Sequence, residues 1–304
     1  MEKTIVTPSD LDKVVFKIAN DHAIDSNIDY CKHIFQKLDF AIDLTDSLHR
    51  QRIEMEERLV WIEPMIFKFS LHTNSLLTLF SGTKMKIKGR DLKVFDEPST
   101  IVLFRVILEN YLTFYYLFCD SITQEEKEFR MNVWKYSGLK QRNGFIANTE
   151  DSQMKKANEL LQMEALKGMV SNSVFFKGFN KKQQEIILDG KKPRLFNSWG
   201  QLNLISNFQT DMFKTLYGYK SNYTHSEFIS MLQIKSGNFG FNPNAKNHYT
   251  LFLLHSLVCK LIIDLTGIFP SVKQLFRNSD SLLIKEVELL NDFSMLSTEE
   301  EKNK

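Results

Sequence analysis

An all-α fold is predicted by three features of this sequence: few turn-forming residues, helix-start signals along the chain, and apolar residues that recur every three or four positions. Only 12 glycines and 6 prolines occur among 304 residues, whereas an all-β sandwich needs many more turns. The 25 phenylalanines provide large side chains for a core. We therefore expect a single multi-helix bundle over residues 1–304, with no sheet of consequence.

The boundaries of the helices follow from caps and breakers in the sequence. Thr7 and Pro8 are expected to begin a first helix that runs to about residue 22. A second helix begins near Ser26 and is expected to bury an apolar face formed by Ile28, Cys31, Phe35, Leu38 and Ile42. Further helices are expected at about 52–80 (with a kink or break at Pro64), 99–119, 123–139, 150–171, 181–188, 198–234 in broken form, 246–266 and 280–293. Residues 82–98 are expected to form a loop, 172–198 the candidate hinge, and 297–304 a frayed tail.

The charge, the cysteines and the motif content argue against several classes of function. The net charge of +2 is far below the basic balance of most nucleic-acid-binding domains, so DNA is not expected as a partner. Cys31, Cys119 and Cys259 are far apart and form no CxxC motif, which predicts buried, reduced thiols in a reducing cytoplasm. The sequence has no Walker A, GxGxxG, HExxH or GxSxG motif and no ligand-like histidine spacing, so neither a cofactor nor a metal is expected.

Two apolar stretches, 101–118 and 249–269, have to be distinguished from membrane spans. Both carry charged residues within the apolar run, for example Arg105 in the first and Asp264 in the second. Charges in the middle of a span make membrane insertion costly. We therefore expect both stretches to be central helices of a soluble core, with no membrane as a partner.

The stretch LFRVILENYLTFYYLF places a polar stripe on an otherwise apolar helix. Arg105 and Glu109 are four residues apart, and Thr113 and Tyr116 continue the stripe. Because a charge without a partner is costly inside a core, each ion needs the other. The stripe predicts an internal ion pair that fixes the position of the helix. The alternative is an arginine aimed at an anion such as a phosphate, with Glu109 holding its orientation.

A second polar stripe lies in LYGYKSNYTHSEF, where Tyr217, Ser221 and His225 are spaced by four residues. One interpretation is a buried hydrogen-bond cluster, and the other is a catalytic histidine with its helpers. The spacing Lys220-x4-His225 resembles the Arg-x4-6-His signature of HEPN-type ribonucleases, which cleave RNA without a metal. The resemblance implies His225 as general acid or base, Lys220 or Arg105 as the cation for phosphate charge, and Tyr217 and Ser221 as positioning groups. Lys220 stands where that family has an arginine, so the bidentate fork is lost.

The two stripes together resemble a group of uncharacterised bacterial helical proteins, classified as a domain of unknown function. The resemblance covers about residues 65–265 and rests on FRVILENY and YKSNYTH, that is on Arg105, Glu109, Tyr217, Ser221 and His225. It implies a helical fold and a polar cluster that joins the two segments. It also implies a role in bacterial defence or stress response.

Basic and aromatic residues elsewhere suggest a surface that could contact RNA. Arg130 and Trp134 are four residues apart on one predicted helix and could stack as a cation–π pair. Two loops, 84–93 and 181–194, are rich in lysine and arginine. The alternative is that these cations are a solvated surface, as most such runs are.

Three functions are consistent with these patterns. The first is a cytoplasmic helical protein that binds or regulates, for example in a bacterial defence or toxin–antitoxin system, with a protein partner or a second copy of itself. The second is a metal-independent ribonuclease of the HEPN type that uses His225. The third is a pocket for an anionic small ligand or nucleotide, lined by Arg105, Glu109, Tyr116 and His225.

Overall fold

The fold is all-α, as predicted, in a computed structural model that describes residues 13, 15, 17, 27–50, 55–208, 217–218, 221–225, 227–235 and 248–295. The helices, in chain order, are α1 (Asn27–Arg50), α2 (Ile62–Leu79), α3 (Glu97–Phe114), α4 (Gln124–Asn143), α5 (Glu150–Asn172), α6 (Val174–Lys177), α7 (Lys181–Leu188), α8 (Trp199–Ser206), α9 (Phe228–Lys235), α10 (His248–Ile268), α11 (Pro270–Arg277) and α12 (Ser281–Ser294). A 3-10 turn at Leu59–Trp61 precedes α2, and a π-helical turn at Tyr115–Cys119 ends α3. The predicted helix at 8–22 (Lys13, Val15 and Lys17 apart) and the predicted tail lie outside the described residues.

Side-chain caps set the starts of most of these helices. A capping oxygen accepts a hydrogen bond from a backbone N–H of the first helical turn, which otherwise has no partner. Residues that do so are Asp96 (α3), Thr123 (α4), Thr149 (α5), Ser173 (α6), Asn180 (α7), Ser198 (α8) and Asp280 (α12). At Ser198 the box is reciprocal, because Gln201 accepts from the Ser198 N–H. The stretch SWGQ, residues 198–201, therefore forms a capping box.

The prediction of a loop over 82–98 is wrong in its first part. Residues Thr83–Ile87 (β1) and Arg90–Val94 (β2) pair as an antiparallel hairpin. Lys88 and Gly89 both have positive φ, 49° and 78°, which is the backbone of a two-residue hairpin turn. Glycine adopts this conformation without strain, so Lys88-Gly89 was a turn signal within a strand pair rather than part of an open loop.

Two other predictions need correction, one on the start of a helix and one on a buried helix face. Pro64 does not kink a long helix, because α2 begins at Ile62 and Pro64 lies in its first turn, where a missing N–H costs little. The predicted apolar face of α1 is confirmed at Cys31 and Leu38, which are buried. It is wrong at Ile42, which is exposed, whereas Lys37 and Ala41 are buried. Tertiary packing of a second helix against α1 decides which of two neighbouring faces is covered.

The core is formed around α10, which packs on α1, α11, α12, α3 and the π-helical turn. The segments Glu97–Cys119 and Tyr249–Ile268 are long and apolar enough to cross a membrane, but more than half of each is buried by the rest of the fold. The structure thus places both as central helices of the bundle, as predicted.

All three cysteines are free thiols, as predicted, with Cys31 and Cys259 buried and Cys119 half-buried. Burial raises the pKa of Cys31 to about 12, so this thiol stays protonated. The candidate hinge, 172–198, contains α6, α7 and a short strand at Pro193–Phe196 (β3). Phe176 and Ile187 of this segment bury their side chains in a second, smaller apolar cluster against α4. Hinge motion of this segment stays a prediction.

Candidate functional site

Four of the predicted site residues meet in one hydrogen-bonded network, here called the Arg105 network: Arg105, Glu109, Tyr217 and Ser221. The Arg105 guanidinium donates from Nε to Glu109 Oε1 at 2.8 Å, from Nη2 to the Tyr217 hydroxyl at 2.9 Å, and from Nη1 to Ser221 Oγ at 3.3 Å. Tyr217 in turn donates to the same Glu109 oxygen at 2.7 Å. The two polar stripes therefore contact each other across more than a hundred residues of sequence.

The electrostatics of the network favour a permanently charged arginine. Burial acts to lower the pKa of Arg105, but hydrogen bonds and charge from Glu109 and Tyr217 outweigh it and hold the pKa above its ordinary value. Burial and the hydrogen bond to Glu109 raise the pKa of Tyr217, so its hydroxyl stays protonated and remains a donor. The Arg105 guanidinium also lies over the Tyr217 ring, with Cζ 4.8 Å from the ring centre. The two charged groups of the network, Arg105 and Glu109, thus neutralise each other.

His225 follows the network by one helical turn, but its side chain is exposed. Its backbone N–H donates to the Ser221 carbonyl, which ends the short helical segment. Among the described residues, no hydrogen bond joins the His225 ring to Arg105 or Glu109. Lys220, the other predicted catalytic residue, lies outside the described residues.

Tyr116 and Arg130 lie together but apart from the Arg105 network. The Arg130 guanidinium is 4.3 Å from the centre of the Tyr116 ring and pairs with Asp120 and Glu126 at 2.7 and 2.8 Å. The predicted stacking of Arg130 on Trp134 is therefore replaced by stacking on Tyr116. The spacing predicted Tyr116 in the stripe of Arg105, but Tyr116 belongs to the π-helical turn, where regular α-helical spacing no longer applies.

A cleft of about 370 Å³ adjoins the network, and all three tryptophans of the chain line it. This tryptophan cleft is lined by Trp61, Trp134, Trp199, Glu109, Lys68 and Thr113, with further residues of α2 and α3. Trp61 and Trp134 meet edge to face, with ring centres 5.8 Å apart and planes at 80°. Asn110 fixes the wall of the cleft, because its amide donates to the Met65 carbonyl of α2. A concave surface that combines aromatic and apolar side chains with a few polar groups is typical of a small-ligand site.

Arg194 in β3 is a site residue that the sequence pattern did not single out. Its guanidinium Cζ lies 3.6 Å from the centre of the Trp199 ring, and its Nε is buried without a hydrogen-bond partner. Burial lowers the pKa of Arg194, and the nearby Glu109 and Tyr217 act against this shift. The motif KKPR had been interpreted as part of a basic loop; only the fold brings Arg194 onto Trp199.

The partners of two buried carboxylates in the core were not predicted from the sequence. Lys37 and Lys17 both pair with Glu286, with N–O distances of 2.7 and 2.6 Å, and Lys37 and Glu286 are almost completely buried. On α10, Asp264 accepts a hydrogen bond from Tyr111 at 2.7 Å, and burial raises its pKa. Their only sequence signal was a charged residue at a helical spacing otherwise held by apolar residues.

No protein-family model matches the chain, and neither a curated protein nor a solved structure matches it. The function is therefore inferred from the geometry. In the part of the chain that the structure describes, no three histidine, cysteine, aspartate or glutamate side chains form a group that could hold a metal ion.

Proposed function

We propose that this protein is a helical binding protein, and that the tryptophan cleft is the surface with which it binds a small ligand. The observation that carries this proposal is the convergence of Trp61, Trp134 and Trp199 on one cleft. These residues are supplied by the turn before α2, by α4 and by α8, so they are far apart in sequence. Tryptophan is a rare residue, and three of three in one concave surface favours recognition over simple core packing.

The Arg105 network stabilises this site because it connects two segments of the chain. It holds the segment that carries Tyr217 and Ser221 against α3, and it fixes Glu109, whose side chain lines the cleft. Glu109 Oε1 accepts two of the four hydrogen bonds of the network, one from Arg105 and one from Tyr217. An internally matched guanidinium has fewer donors left for a substrate phosphate, which favours binding over phosphodiester cleavage by Arg105.

The ribonuclease hypothesis stays a prediction with a separate requirement. It needs His225 and Lys220, or Lys220 of a second copy, to flank one RNA phosphate. The exposed position of His225 is compatible with such contact. It would require RNA cleavage by the wild-type protein that His225→Ala abolishes without loss of thermal stability.

Binding to the cleft can be followed through the fluorescence of the three tryptophans. We expect at least one compound of a panel of AMP, indole-3-carboxylate, adenosine, choline and inorganic phosphate to change the emission saturably. Trp61→Ala is expected to lower the affinity for that compound about tenfold or more, because one aromatic wall of the cleft is lost. Phe145→Ala removes an exposed aromatic residue away from the cleft and is the matched control, and His225→Ala should likewise leave binding unchanged. If no compound of the panel binds, the proposal is wrong.

We further propose that the protein acts in the cytoplasm, in a bacterial defence or stress response, through a protein partner or a second copy. Support for a partner comes from exposed apolar side chains on α9, namely Phe228, Ile229 and Leu232.

A further inference from the structure

We propose that the tryptophan cleft takes a planar aromatic ligand that carries an anionic group, a phosphate or a carboxylate, and that Arg194 binds this anion. The inference rests on the proposed function of the cleft as a small-ligand site. It adds the chemical class of the ligand and assigns a residue that binds it.

The first step is the aromatic part of the ligand. The volume of about 370 Å³ lies within the roughly 300–1,000 Å³ of small-ligand sites. Indole rings offer large apolar faces and edges that pack best against another flat ring. The edge-to-face arrangement of Trp61 and Trp134 gives the cleft walls at nearly a right angle, 80°. A flat ring that lies parallel to one indole is therefore nearly perpendicular to the other.

The second step is the anionic group. Arg194 is half-buried, and its guanidinium forms no hydrogen bond or ion pair with the residues that the structure describes. Its Nε is buried and forms no hydrogen bond within the described part of the chain. A buried cationic donor without an acceptor is unfavourable, and a ligand anion would supply acceptors to several of its N–H groups at once. Arg194 does not itself line the cleft, but its guanidinium lies against Trp199, one of the rings that do.

The third step is the sign of the charge around the cleft. Glu109 is the acidic residue in the lining, and its charge is matched by Arg105 through the 2.8 Å ion pair. Lys68 in the lining and Arg194 beside it are then two further cations. A cationic ligand would meet this excess of positive charge, whereas an anionic ligand would be attracted by it.

The backbone that presents Arg194 is itself held in an unusual conformation. The next residue, Leu195, has a φ of 53°, in the left-handed region of backbone conformation that residues other than glycine rarely adopt. The turn is fixed by the Arg194 carbonyl, which accepts hydrogen bonds from the backbone and the side chain of Asn197. The turn therefore holds Arg194 in position before any ligand binds.

Titration of the fluorescence panel with wild-type protein and with Arg194→Gln tests the inference. We expect AMP or indole-3-carboxylate to bind more tightly than adenosine, choline or inorganic phosphate. Arg194→Gln should weaken the anionic compound about ten- to a hundredfold, since a charge-assisted hydrogen bond is lost, and should change adenosine binding less than about twofold. Arg194→Lys, which keeps the charge but loses the fork, should give an intermediate loss. AMP tests the phosphate and indole-3-carboxylate tests the carboxylate, because Arg194→Gln weakens only the compound whose anion Arg194 binds.

Lys191→Gln is the matched control, because it removes one positive charge three residues away from an exposed position. The inference is overturned if adenosine or choline binds as tightly as the anionic compounds, or if Arg194→Gln and Arg194→Lys both bind them like wild type. In those cases, sensitivity of the bound compound to Trp61→Ala would preserve the proposed function of the cleft. Absence of binding by every compound would overturn both.

Discussion

Glu286→Gln is expected to lower the free energy of unfolding by about 3–5 kcal/mol, because it leaves the buried ammonium of Lys37 without a counter-charge. Lys37 and Glu286 are 1% and 2% exposed, and their charged atoms are 2.7 Å apart. Because both side chains are buried, the ammonium of Lys37 cannot reach water without a change in the packing around it. Denaturant unfolding of wild type and variant measures the difference.

Glu288→Gln provides the control for Glu286→Gln, since it removes the same charge from an exposed position two residues along α12. The double variant Lys37→Met, Glu286→Leu is expected to recover much of the loss, because an apolar pair of similar volume replaces the buried ions. A Glu286→Gln protein within about 1 kcal/mol of wild type would contradict this description of the core.

The Glu286 carboxylate makes the stability of the folded protein depend on pH. Burial opposes its charge, but the charges and hydrogen bonds of Lys37 and Lys17 outweigh burial and hold its pKa below the ordinary value of 4.5. The unfolded chain therefore takes up the proton at higher pH than the folded chain. The stabilisation is complete above pH 4.5 and is lost as the pH falls through the folded-state pKa. Wild type should lose this increment on acidification, and Glu286→Gln should not.

Arg105→Leu is expected to lower the free energy of unfolding by about 2–3 kcal/mol, because Glu109 loses its cation and Tyr217 loses a donor. Hydrogen exchange of residues 221–225 should become faster in the variant, since their contact with α3 is lost. A double-mutant cycle with Tyr217→Phe should give a coupling of about 1 kcal/mol or more.

Arg142→Leu is the matched control for Arg105→Leu, because its guanidinium is mostly exposed on α4. If the Arg105→Leu protein has wild-type stability and unchanged hydrogen exchange, the network does not hold the segment with Tyr217 and Ser221 against α3. Such a result would favour the role that the ribonuclease hypothesis gives to Arg105, which is to stabilise the charge of the RNA phosphate.

The sequence predicted the Arg105 network well because both halves depended on local helical spacing. Arg105 and Glu109 are one turn apart, as are Tyr217 and Ser221, and an ion on an apolar helix requires partners. His225 has the same spacing but lies where the short helical segment ends, so its side chain reaches the surface. Spacing alone does not reveal where a helix stops.

The tryptophan cleft could not be predicted in the same way. Trp61, Trp134 and Trp199 are brought together only by the packing of four helices and a turn, and no local pattern relates them. Arg194 was equally hidden, because a lysine- and arginine-rich loop usually remains in solvent. Burial of this one guanidinium depends on Trp199, which follows it by five residues but belongs to the next helix.

Fluorine NMR of protein labelled with fluorotryptophan tests the central claim most directly, since the chain has only three tryptophans and each resonance can be assigned by a single Trp→Phe variant. During titration with the compound that binds best in the panel, we expect all three resonances to shift with one common midpoint. Resonances that do not move, or a shift confined to one tryptophan, would contradict the existence of a single ligand site lined by all three.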